Sequence, residues 1–368
     1  MNANEQDARY NIAETCVDSV SIDELFELAG EDRDAFWRAF SSKRLTYGFI
    51  EGQPSFKEGI CRLYRTLEPK HIVTTHGAAG ANHHIFYSLV EPGDRVISIM
   101  PTYQQLVSIP ESLGADVQVL RLRPENGYLP DLEELRRLAV PGTRIITVNN
   151  PNNPTGALMS REMLEGIVEI ARSVDAWVIC DEVYRHLTQE NMWCESIADL
   201  YEKGISVSSM SKVFALAGLR LGWIATRDEN VIRSCLSHRD YDLISCGMLD
   251  EALADVALRH ADRLLERNRG IVRANLKTVT DWMAGEPRLR WHRPQAGTTA
   301  LIFYDYPVPS YDFCLRAYRE TGAFVTPGDC FNEPFSFRLG YGCDPEELRQ
   351  GLNAMSALLR TLEQEEKA

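Results

Sequence analysis

The feature that most constrains the fold of this chain is an alternation of short apolar runs with helical segments between residues 72 and 226. The apolar runs are residues 72–75, 95–100, 116–120, 144–148, 176–180, 205–208 and 222–226. Candidate helices between several of them are residues 82–90, 132–138 and 160–173. This order predicts an α/β fold with a mostly parallel sheet covered by helices on both faces. Runs that are apolar throughout also suit a sheet buried on both sides.

The C-terminal third predicts a second, smaller unit. A long helical pattern runs from residue 251 to 282, strand-like pieces follow at 299–304 and 336–340, and a closing helix covers 345–363. A chain of 368 residues is long for a single core. The sequence therefore predicts a large domain over residues 41–265, with residues 1–40 and 266–368 forming a small α+β domain.

Composition excludes several classes of partner. The formal net charge of −14 argues against a nucleic-acid surface and gives no reason to expect attraction to anionic lipid. No window approaches the roughly 18 apolar residues of a membrane span, and the polar N-terminus shows no secretory signal. The nine cysteines form no CxxC pair, which favours reduced thiols over disulfides or a metal site. We expect a cytoplasmic protein without metal, membrane or nucleic-acid partners.

Small and polar residues follow the first runs, at the sheet edge where ligands bind in open parallel sheets. Gly77-Ala78-Ala79 opens a helix after residues 72–75. Small residues and a helix N-terminus favour an anion, although a plain strand-to-helix turn explains the pattern equally well. Residues 149–156 form an asparagine-rich loop after the run at 144–148. One of its amides could donate to a phenolate-like oxygen, and a simple turn is the alternative.

Charged residues follow two later runs. Asp181 ends the run at 176–180, and a buried carboxylate is costly unless it is paired, for example with a protonated pyridine nitrogen. A helix cap is the alternative for Asp181. Lys212 comes just after the run at 205–208, where a depressed pKa would suit a Schiff-base lysine. A surface position is the alternative for Lys212. Arg220 could form a two-point contact with a phosphate.

Three motifs together carry a family resemblance. Asn-Asn-Pro-Thr-Gly at 152–156, Asp-Glu-Val-Tyr at 181–184 and Ser-x-Ser-Lys-x-x-x-x-x-Gly-x-Arg at 209–220 occur in this order. The chain thereby resembles the class I/II pyridoxal-phosphate-dependent aminotransferases of fold type I, the aspartate aminotransferase superfamily. The resemblance covers nearly the whole chain and is strongest from Tyr47 to Gly222.

The resemblance implies roles for individual residues. Lys212 would form a Schiff base with pyridoxal 5'-phosphate and carry the α-proton, while Asp181 would keep the pyridine nitrogen protonated. Asn153 and Tyr184 would donate to the 3-oxygen of the ring, and Asn153 also adjoins the substrate. Tyr103 would stack on the face of the ring, Tyr47 would contact the partner subunit's phosphate, and Arg338 would bind the substrate α-carboxylate. The phosphate of the same subunit would be bound by Gly77, Ala78, Ala79, Ser209 and Arg220.

The expected function is transamination between an amino acid and a 2-oxo acid in a homodimer. An amino-acid donor with a neutral or basic side chain is favoured, because no second arginine lies in a family motif that would bind the side-chain carboxylate of a dicarboxylate. Arg62, Arg65 and Arg293 are candidates for that role only because they lie near family elements in the sequence. Two other fates of the same carbanion stay open: β- or γ-elimination by a carbon–sulfur lyase, and cyclisation or oxidation of a basic amino acid. A non-catalytic effector-binding module is disfavoured by Lys212 and by the lack of a basic helix-turn-helix extension.

The sequence departs from the family pattern at three places. Ala78 and Ala79 stand where the family often has hydroxyl side chains, and residues 12–18 and 295–299 differ from its usual substrate-contacting segments. Glu14 and Asp18 fall one helical turn apart and could meet a cationic substrate, but helix-capping or solvated acids are favoured.

Two further groups of residues are interpreted as structural or surface residues and not as functional ones. Adjacent helical residues point about 100° apart, so His83 and His84 are assigned a structural or surface role rather than metal binding. Cys180 is interpreted as a packed thiol within its strand.

Overall fold

The computed structural model describes residue 5 and residues 7–190 and 194–367. Its strands are β1 (Tyr10–Asn11), β2 (Ile72–His76), β3 (Arg95–Met100), β4 (Asp116–Arg121), β5 (Thr143–Asn149), β6 (Trp177–Asp181), β7 (Gly204–Ser209), β8 (Leu221–Thr226), β9 (Leu289–Trp291), β10 (Thr299–Tyr304), β11 (Ala323–Phe324), β12 (Thr326–Pro327) and β13 (Ser336–Gly340). Its α-helices are α1 (Ile22–Ala29), α2 (Arg33–Ser41), α3 (Pro54–Cys61), α4 (Gly77–Leu89), α5 (Gln105–Ser112), α6 (Leu132–Leu138), α7 (Arg161–Ser173), α8 (Ile197–Leu200), α9 (Glu229–Arg239), α10 (Met248–Arg259), α11 (Ala261–Ala284), α12 (Ser310–Arg316) and α13 (Pro345–Lys367).

A seven-stranded sheet forms the centre of the molecule. Its strand order is β2-β8-β7-β6-β5-β3-β4, and only β8 runs antiparallel to its neighbours. The predicted α/β class with a mostly parallel sheet is therefore confirmed. Asn149 at the end of β5 lies opposite Asp181 at the end of β6, so the polar residues after these strands meet at one edge.

Helices cover both faces of this sheet. Successive strand residues point to opposite sides, and Ile145 and Ile146 accordingly join two different apolar clusters. One cluster includes residues of α6 and α7, and the other includes residues of α4 and α9. Burial on both faces explains why the strands read as apolar throughout.

Side-chain caps mark the starts of several helices. Ser21 and Glu24 form a reciprocal capping box at α1, and Ser160 accepts a hydrogen bond from the backbone N–H of Met163 at α7. Asp131 caps α6 in the same way. Such caps satisfy backbone donors that the first helical turn leaves without partners.

The C-terminal region contains a separate four-stranded sheet of order β12-β13-β10-β9. The strands predicted at 299–304 and 336–340 are confirmed, but the single long helix predicted from 251 to 282 is wrong. It is two helices, α10 and α11, which break at His260, where the imidazole Nε2 lies 2.8 Å from Glu31 Oε1.

The N-terminal segment joins this second region through β1, which pairs in parallel with β11. The domain boundaries at residues 41 and 265 remain predictions. Among the described helices, none is long and apolar enough to cross a membrane.

Candidate active site

A cavity of about 420 Å³ opens at the carboxyl edge of the central sheet. Ten of the predicted site residues line it: Ala78, Ala79, Tyr103, Asn153, Asp181, Tyr184, Ser209, Lys212, Arg220 and Arg338. Gly77 lies directly beside it, because a Cβ atom at Gly77 would come within 3.0 Å of the Arg220 Nη2. The structure thus brings together residues that lie up to 261 positions apart in sequence, from Gly77 to Arg338.

The turn from β2 into α4 is built for a close approach of the backbone. Gly77 has a positive φ of 69°, and a Cβ at Gly222 on the neighbouring strand would lie 2.3 Å from the Gly77 carbonyl carbon. Both positions therefore require glycine. Arg220 also has a positive φ, and its Nη1 donates to the Ala217 carbonyl at 2.9 Å, next to this turn. A helix N-terminus with an adjacent guanidinium favours an anion.

Asp181 is a buried carboxylate at the end of β6. It accepts a hydrogen bond from the Val183 N–H at 3.2 Å and makes no ion pair within the described part of the chain. Burial raises the pKa of Asp181 to about 6, although the N–H of Val183, the side chain of Asn82 and the charge of Lys212 each act to lower it. A cation placed in the cavity beside Asp181 would stabilise its ionised form.

Two buried asparagines to which the sequence analysis gave no individual role support this edge. Asn149 Nδ2 donates to the Asp181 carbonyl at 2.8 Å, and Asn149 Oδ1 accepts from the Asn153 N–H at 2.7 Å. Asn82 lies in α4, where its Nδ2 donates to Gln105 Oε1 at 3.3 Å, and its side chain also acts to lower the pKa of Asp181. Asn149 belonged to the asparagine-rich motif, so its position was marked, whereas nothing in the sequence distinguished Asn82 from other helical residues.

Lys212 projects into the cavity from the segment after β7. Its Nζ donates to Thr15 Oγ1 at 2.7 Å and to Cys16 Sγ at 3.2 Å, and it lies 3.9 Å from Glu14 Oε1. Burial by itself would lower the pKa of Lys212, but the acidic groups of Tyr184, Cys16 and Glu14 outweigh it and the pKa is raised. The predicted depressed pKa is therefore wrong, because the N-terminal segment supplies neighbours that the local sequence did not show.

Arg338 lies on β13 and is buried at the opposite wall. Its Nη1 donates to Asn153 Oδ1 at 3.3 Å, while Nη2 donates to the Ala13 carbonyl and to Thr326 Oγ1, each at 3.1 Å. Its Nε has no hydrogen-bond partner among the described residues. Burial lowers the pKa of Arg338, although nearby acidic groups oppose the shift. An anionic ligand beside the guanidinium would compensate for this burial and would itself be stabilised there.

The N-terminal segment contributes residues that the motifs did not reveal. Residues 12–18 are not helical, so the expected one-turn spacing of Glu14 and Asp18 is wrong. Glu14 lines the cavity, whereas Asp18 pairs with Arg267 at 3.1 Å outside it. Ala13, Thr15 and Cys16, from the segment 12–18 that the family resemblance marked as substrate-contacting, also line the cavity. Further lining residues that sequence reasoning did not place are Glu5, Gln104, Val183, Ser211, Ala217, Thr326, Cys330 and Phe331.

The turn at residues 295–299 does not line the cavity but lies behind it. Gly297 packs on the ring of Tyr184, and Thr298 Oγ1 donates to the Thr15 carbonyl at 2.7 Å. This turn therefore positions lining residues. The three arginines considered for a dicarboxylate, Arg62, Arg65 and Arg293, are not among the described residues that line the cavity.

The remaining sequence candidates have structural surroundings. His84 Nε2 lies 3.3 Å from Asp242 Oδ2, and the His83 ring stacks on Tyr87. Cys180 is buried within β6, as the packed-thiol interpretation predicted. No cluster of metal-ligating side chains occurs within residues 7–190 and 194–367 or at residue 5.

Tyr47 lies away from the cavity of its own chain. It is 68% exposed and lines a separate surface groove with Phe40, Lys43, Phe49 and Met248. Its predicted contact with a partner subunit's phosphate remains a prediction.

Comparison with known proteins identifies the family. The family model described as aminotransferase class I and II matches residues 28–355. The chain belongs to this family. It is a pyridoxal-phosphate-dependent enzyme of the aspartate aminotransferase fold, as the motifs predicted.

Individual relatives differ in their activities. A capreomycidine synthase of Streptomyces vinaceus is 32% identical over 295 residues, which is 80% of this chain and 76% of that protein. The structure of a PLP-dependent aminotransferase from Streptococcus suis is similar with a TM-score of 0.95 and 43% identity, covering 98% of this chain and 96% of the other. The PLP-dependent cyclase OrfR is similar with a TM-score of 0.88 and 26% identity, covering 96% and 93%.

The cavity fits pyridoxal phosphate on its own chemistry. The buried Asp181, whose pKa is raised, has no ion-pair partner among the described residues, and a protonated pyridine would supply one. The Gly77 turn beside Arg220 suits a phosphate, and Lys212 offers an amine between the two. These three features account for the ring nitrogen, the phosphate and the aldehyde of the cofactor.

Proposed function

We propose that this enzyme transfers the amino group of an amino acid with a neutral or basic side chain to a 2-oxo acid, with Lys212 as the Schiff-base residue. The observation that carries the proposal is that Lys212, Asp181, Tyr184 and Arg338 line one cavity. When bound, pyridoxal phosphate supplies an electron sink that stabilises negative charge at the substrate α-carbon.

Arg338 would bind the α-carboxylate of the substrate. A guanidinium presents paired N–H groups in a plane that matches a carboxylate, and a charge-assisted bidentate contact fixes orientation. Asn153, Thr326 and the Ala13 carbonyl hold Arg338 in place, while its Nε faces no protein acceptor among the described residues. The substrate would thus be oriented before any proton moves.

Lys212 would hold and move the α-proton at its Nζ atom. Thr15 Oγ1 and Cys16 Sγ, which accept hydrogen bonds from Nζ, would keep the amine close to the substrate. Asp181 would stay ionised against the ring nitrogen. Tyr184 and Asn153 would orient the ring through hydrogen bonds, and the burial of Tyr184, which raises its pKa, keeps it a neutral donor.

The Schiff-base assignment predicts a covalent adduct at one residue. Borohydride reduction of the yellow holoenzyme, followed by digestion and mass spectrometry, should place the cofactor on Lys212. Lys212→Ala should abolish turnover and the adduct while far-UV circular dichroism stays unchanged. An adduct on another lysine would overturn the assignment.

The choice of donor is tested by kinetics across a panel of amino acids. The cavity residues of the described chain include no fourth cation beyond Lys212, Arg220 and Arg338, which supports a donor that is not a dicarboxylate. Aspartate or glutamate exceeding all other donors tenfold in kcat/KM would contradict the proposal. Tenfold corresponds to about 1.4 kcal/mol of differential transition-state binding.

A second candidate is cyclisation or oxidation of a basic amino acid, or carbon–sulfur elimination, on the same site. Among these reactions, the similarity to a capreomycidine synthase and to a PLP-dependent cyclase favours cyclisation. A single experiment separates the two candidates. Transamination without a 2-oxo acid stops after one equivalent of donor per site, whereas elimination or cyclisation, and oxidation when dioxygen is supplied, continues to turn over.

We also propose a homodimer and a cytoplasmic location. The dimer is supported by the exposed side chains of Tyr47 and Phe49 in a groove outside the chain's own cavity. Tyr47 would then reach the partner subunit's phosphate.

A further inference from the structure

Glu14 places a carboxylate in the substrate part of the cavity. Its Oε1 accepts hydrogen bonds from the backbone N–H of Thr15 at 2.7 Å and of Cys16 at 2.8 Å. Burial alone would raise the pKa of Glu14, but Lys212 and these N–H groups outweigh burial and the pKa is lowered. The side chain is therefore ionised at neutral pH and held in one orientation.

The backbone fixes where this carboxylate lies relative to the substrate. Arg338 Nη2 donates to the carbonyl of Ala13, the residue immediately before Glu14, at 3.1 Å. On the other side, Glu14 Oε1 is 3.9 Å from Lys212 Nζ. Glu14 thus stands between the residue proposed to bind the α-carboxylate and the residue proposed to move the α-proton.

The charges that line the cavity indicate what Glu14 meets in the working enzyme. The cations among the described lining residues are Lys212, Arg220 and Arg338, and the acids are Glu5, Glu14 and Asp181. Under the proposed function Lys212 is taken by the cofactor, Arg220 by its phosphate and Arg338 by the substrate carboxylate, while Asp181 faces the ring nitrogen. The two glutamates of the N-terminal segment then have no cation assigned to them.

We propose that Glu14 is the specificity residue for the donor side chain, and that this side chain carries an amine or a guanidinium cation. The inference rests on the proposed function and narrows its neutral or basic donor to a basic one. Glu5, which lines the same cavity, adds a second negative charge that disfavours dicarboxylates.

The competing explanation is that Glu14 only fixes its own loop through the two N–H bonds. Glu14→Gln separates the two roles, because an amide oxygen can still accept both hydrogen bonds while the charge is lost. Asp18→Asn is the matched control, since Asp18 is another acid of the same segment but pairs with Arg267 outside the cavity.

The test measures binding of substrate analogues that lack the α-amino group to the holoenzyme by calorimetry, and the absorbance of the cofactor checks that the amine of 6-aminohexanoate forms no Schiff base with it. Hexanoate presents only a carboxylate, 6-aminohexanoate adds an amine, 5-guanidinopentanoate adds a guanidinium, and adipate adds a second carboxylate. We expect at least one of the cationic analogues to bind about tenfold or more tightly than hexanoate, since hydrogen bonds to charged groups contribute substantially. Which of the two gains more identifies the cation.

The variants give the decisive outcomes. In Glu14→Gln the advantage of the cationic analogue should fall to below about threefold, whereas Asp18→Asn should keep it. Glu14→Lys should reverse the order and favour adipate. The ratio of kcat/KM for basic over neutral donors should fall in parallel in Glu14→Gln.

Failure of this inference differs from failure of the proposed function. If hexanoate and both cationic analogues bind equally, or Glu14→Gln keeps the full advantage, the role of Glu14 is overturned while the carboxylate site stands. If no analogue binds at all, the assignment of Arg338 fails, and both proposals are overturned.

Discussion

Replacement of Asp181 by asparagine is expected to act in opposite directions on the apoprotein and on the holoenzyme. The carboxylate of Asp181 is buried without an ion pair within the described residues, and its Oδ1 accepts from the Val183 N–H at 3.2 Å. An asparagine oxygen can keep that hydrogen bond. The substitution therefore removes the charge and, with it, one oxygen to which the Asn82 side chain could donate.

The size of the effect follows from the pKa of Asp181. Burial raises that pKa from 3.8 to about 6, and each pKa unit corresponds to about 1.4 kcal/mol. Because the folded protein binds this proton more tightly than the unfolded chain, wild-type stability falls as the pH rises between about 4 and 6. The penalty is complete above that window and reaches about 3 kcal/mol at pH 8, with roughly half of it present at pH 5.

The assay is urea unfolding of the cofactor-free protein, followed by tryptophan fluorescence at pH 5, 6, 7 and 8. Asp181→Asn should be more stable than wild type at pH 8, with an advantage that shrinks towards pH 5. The holoenzyme should show the opposite, since a neutral residue no longer stabilises a protonated pyridine; cofactor retention and turnover should fall about a hundredfold or more. Apoprotein of the variant that is less stable than wild type at pH 8, or a difference independent of pH, would refute the reasoning.

Two further substitutions test the substrate and subunit assignments. Arg338→Lys should raise the donor KM at least about tenfold in steady-state kinetics, because an ammonium cannot form the planar two-point contact with a carboxylate; an unchanged KM would exclude Arg338 as the carboxylate ligand. Tyr47→Phe should weaken cofactor retention on dialysis by about ten- to a hundredfold, as expected for loss of a hydrogen bond to a charged group. A fully active monomer in sedimentation at micromolar concentration would contradict the dimer and with it this role of Tyr47.

The cofactor side of the site was predictable because it is local to the strands. Apart from Arg220, the predicted cofactor residues of the cavity come within five residues after an apolar run. Parallel strands end at a common edge, so sequence position places Asp181 near Asn149. The bounds of β3, α6, β10 and β13 were predicted correctly for the same reason: apolar periodicity and flanking turn residues are local signals. The prediction of one long helix was wrong at His260, which contacts Glu31, a residue 229 positions away in the sequence.

The substrate side was predicted only in part: the family resemblance marked Arg338 and the segment 12–18, but the individual contacts are made by chain segments without periodicity. Thr15 and Cys16 reach Lys212 across 197 and 196 positions, and Thr326 reaches the site through Arg338. Nothing in a single sequence indicates that such segments meet. The raised pKa of Lys212 escaped prediction for this reason, since its causes lie in Tyr184, Cys16 and Glu14 and not in the strand that carries it.

This division has a physical consequence for how specificity is set. The residues assigned to the cofactor sit on strand ends and a helix start, whose positions are fixed by a sheet buried on both faces. Residues 12–16 instead form no helix or strand: Ile12 packs in the core, and the polar contacts of the segment are hydrogen bonds with Arg338, Thr298 and Lys212. A substitution at Glu14, whose side chain is 41% exposed, can change which side chain is accepted without disturbing the core, whereas a change at Gly77 or Gly222 would collide with backbone or with Arg220. Substrate preference in this enzyme is therefore expected to respond to residues 12–16 and cofactor binding to the strand ends.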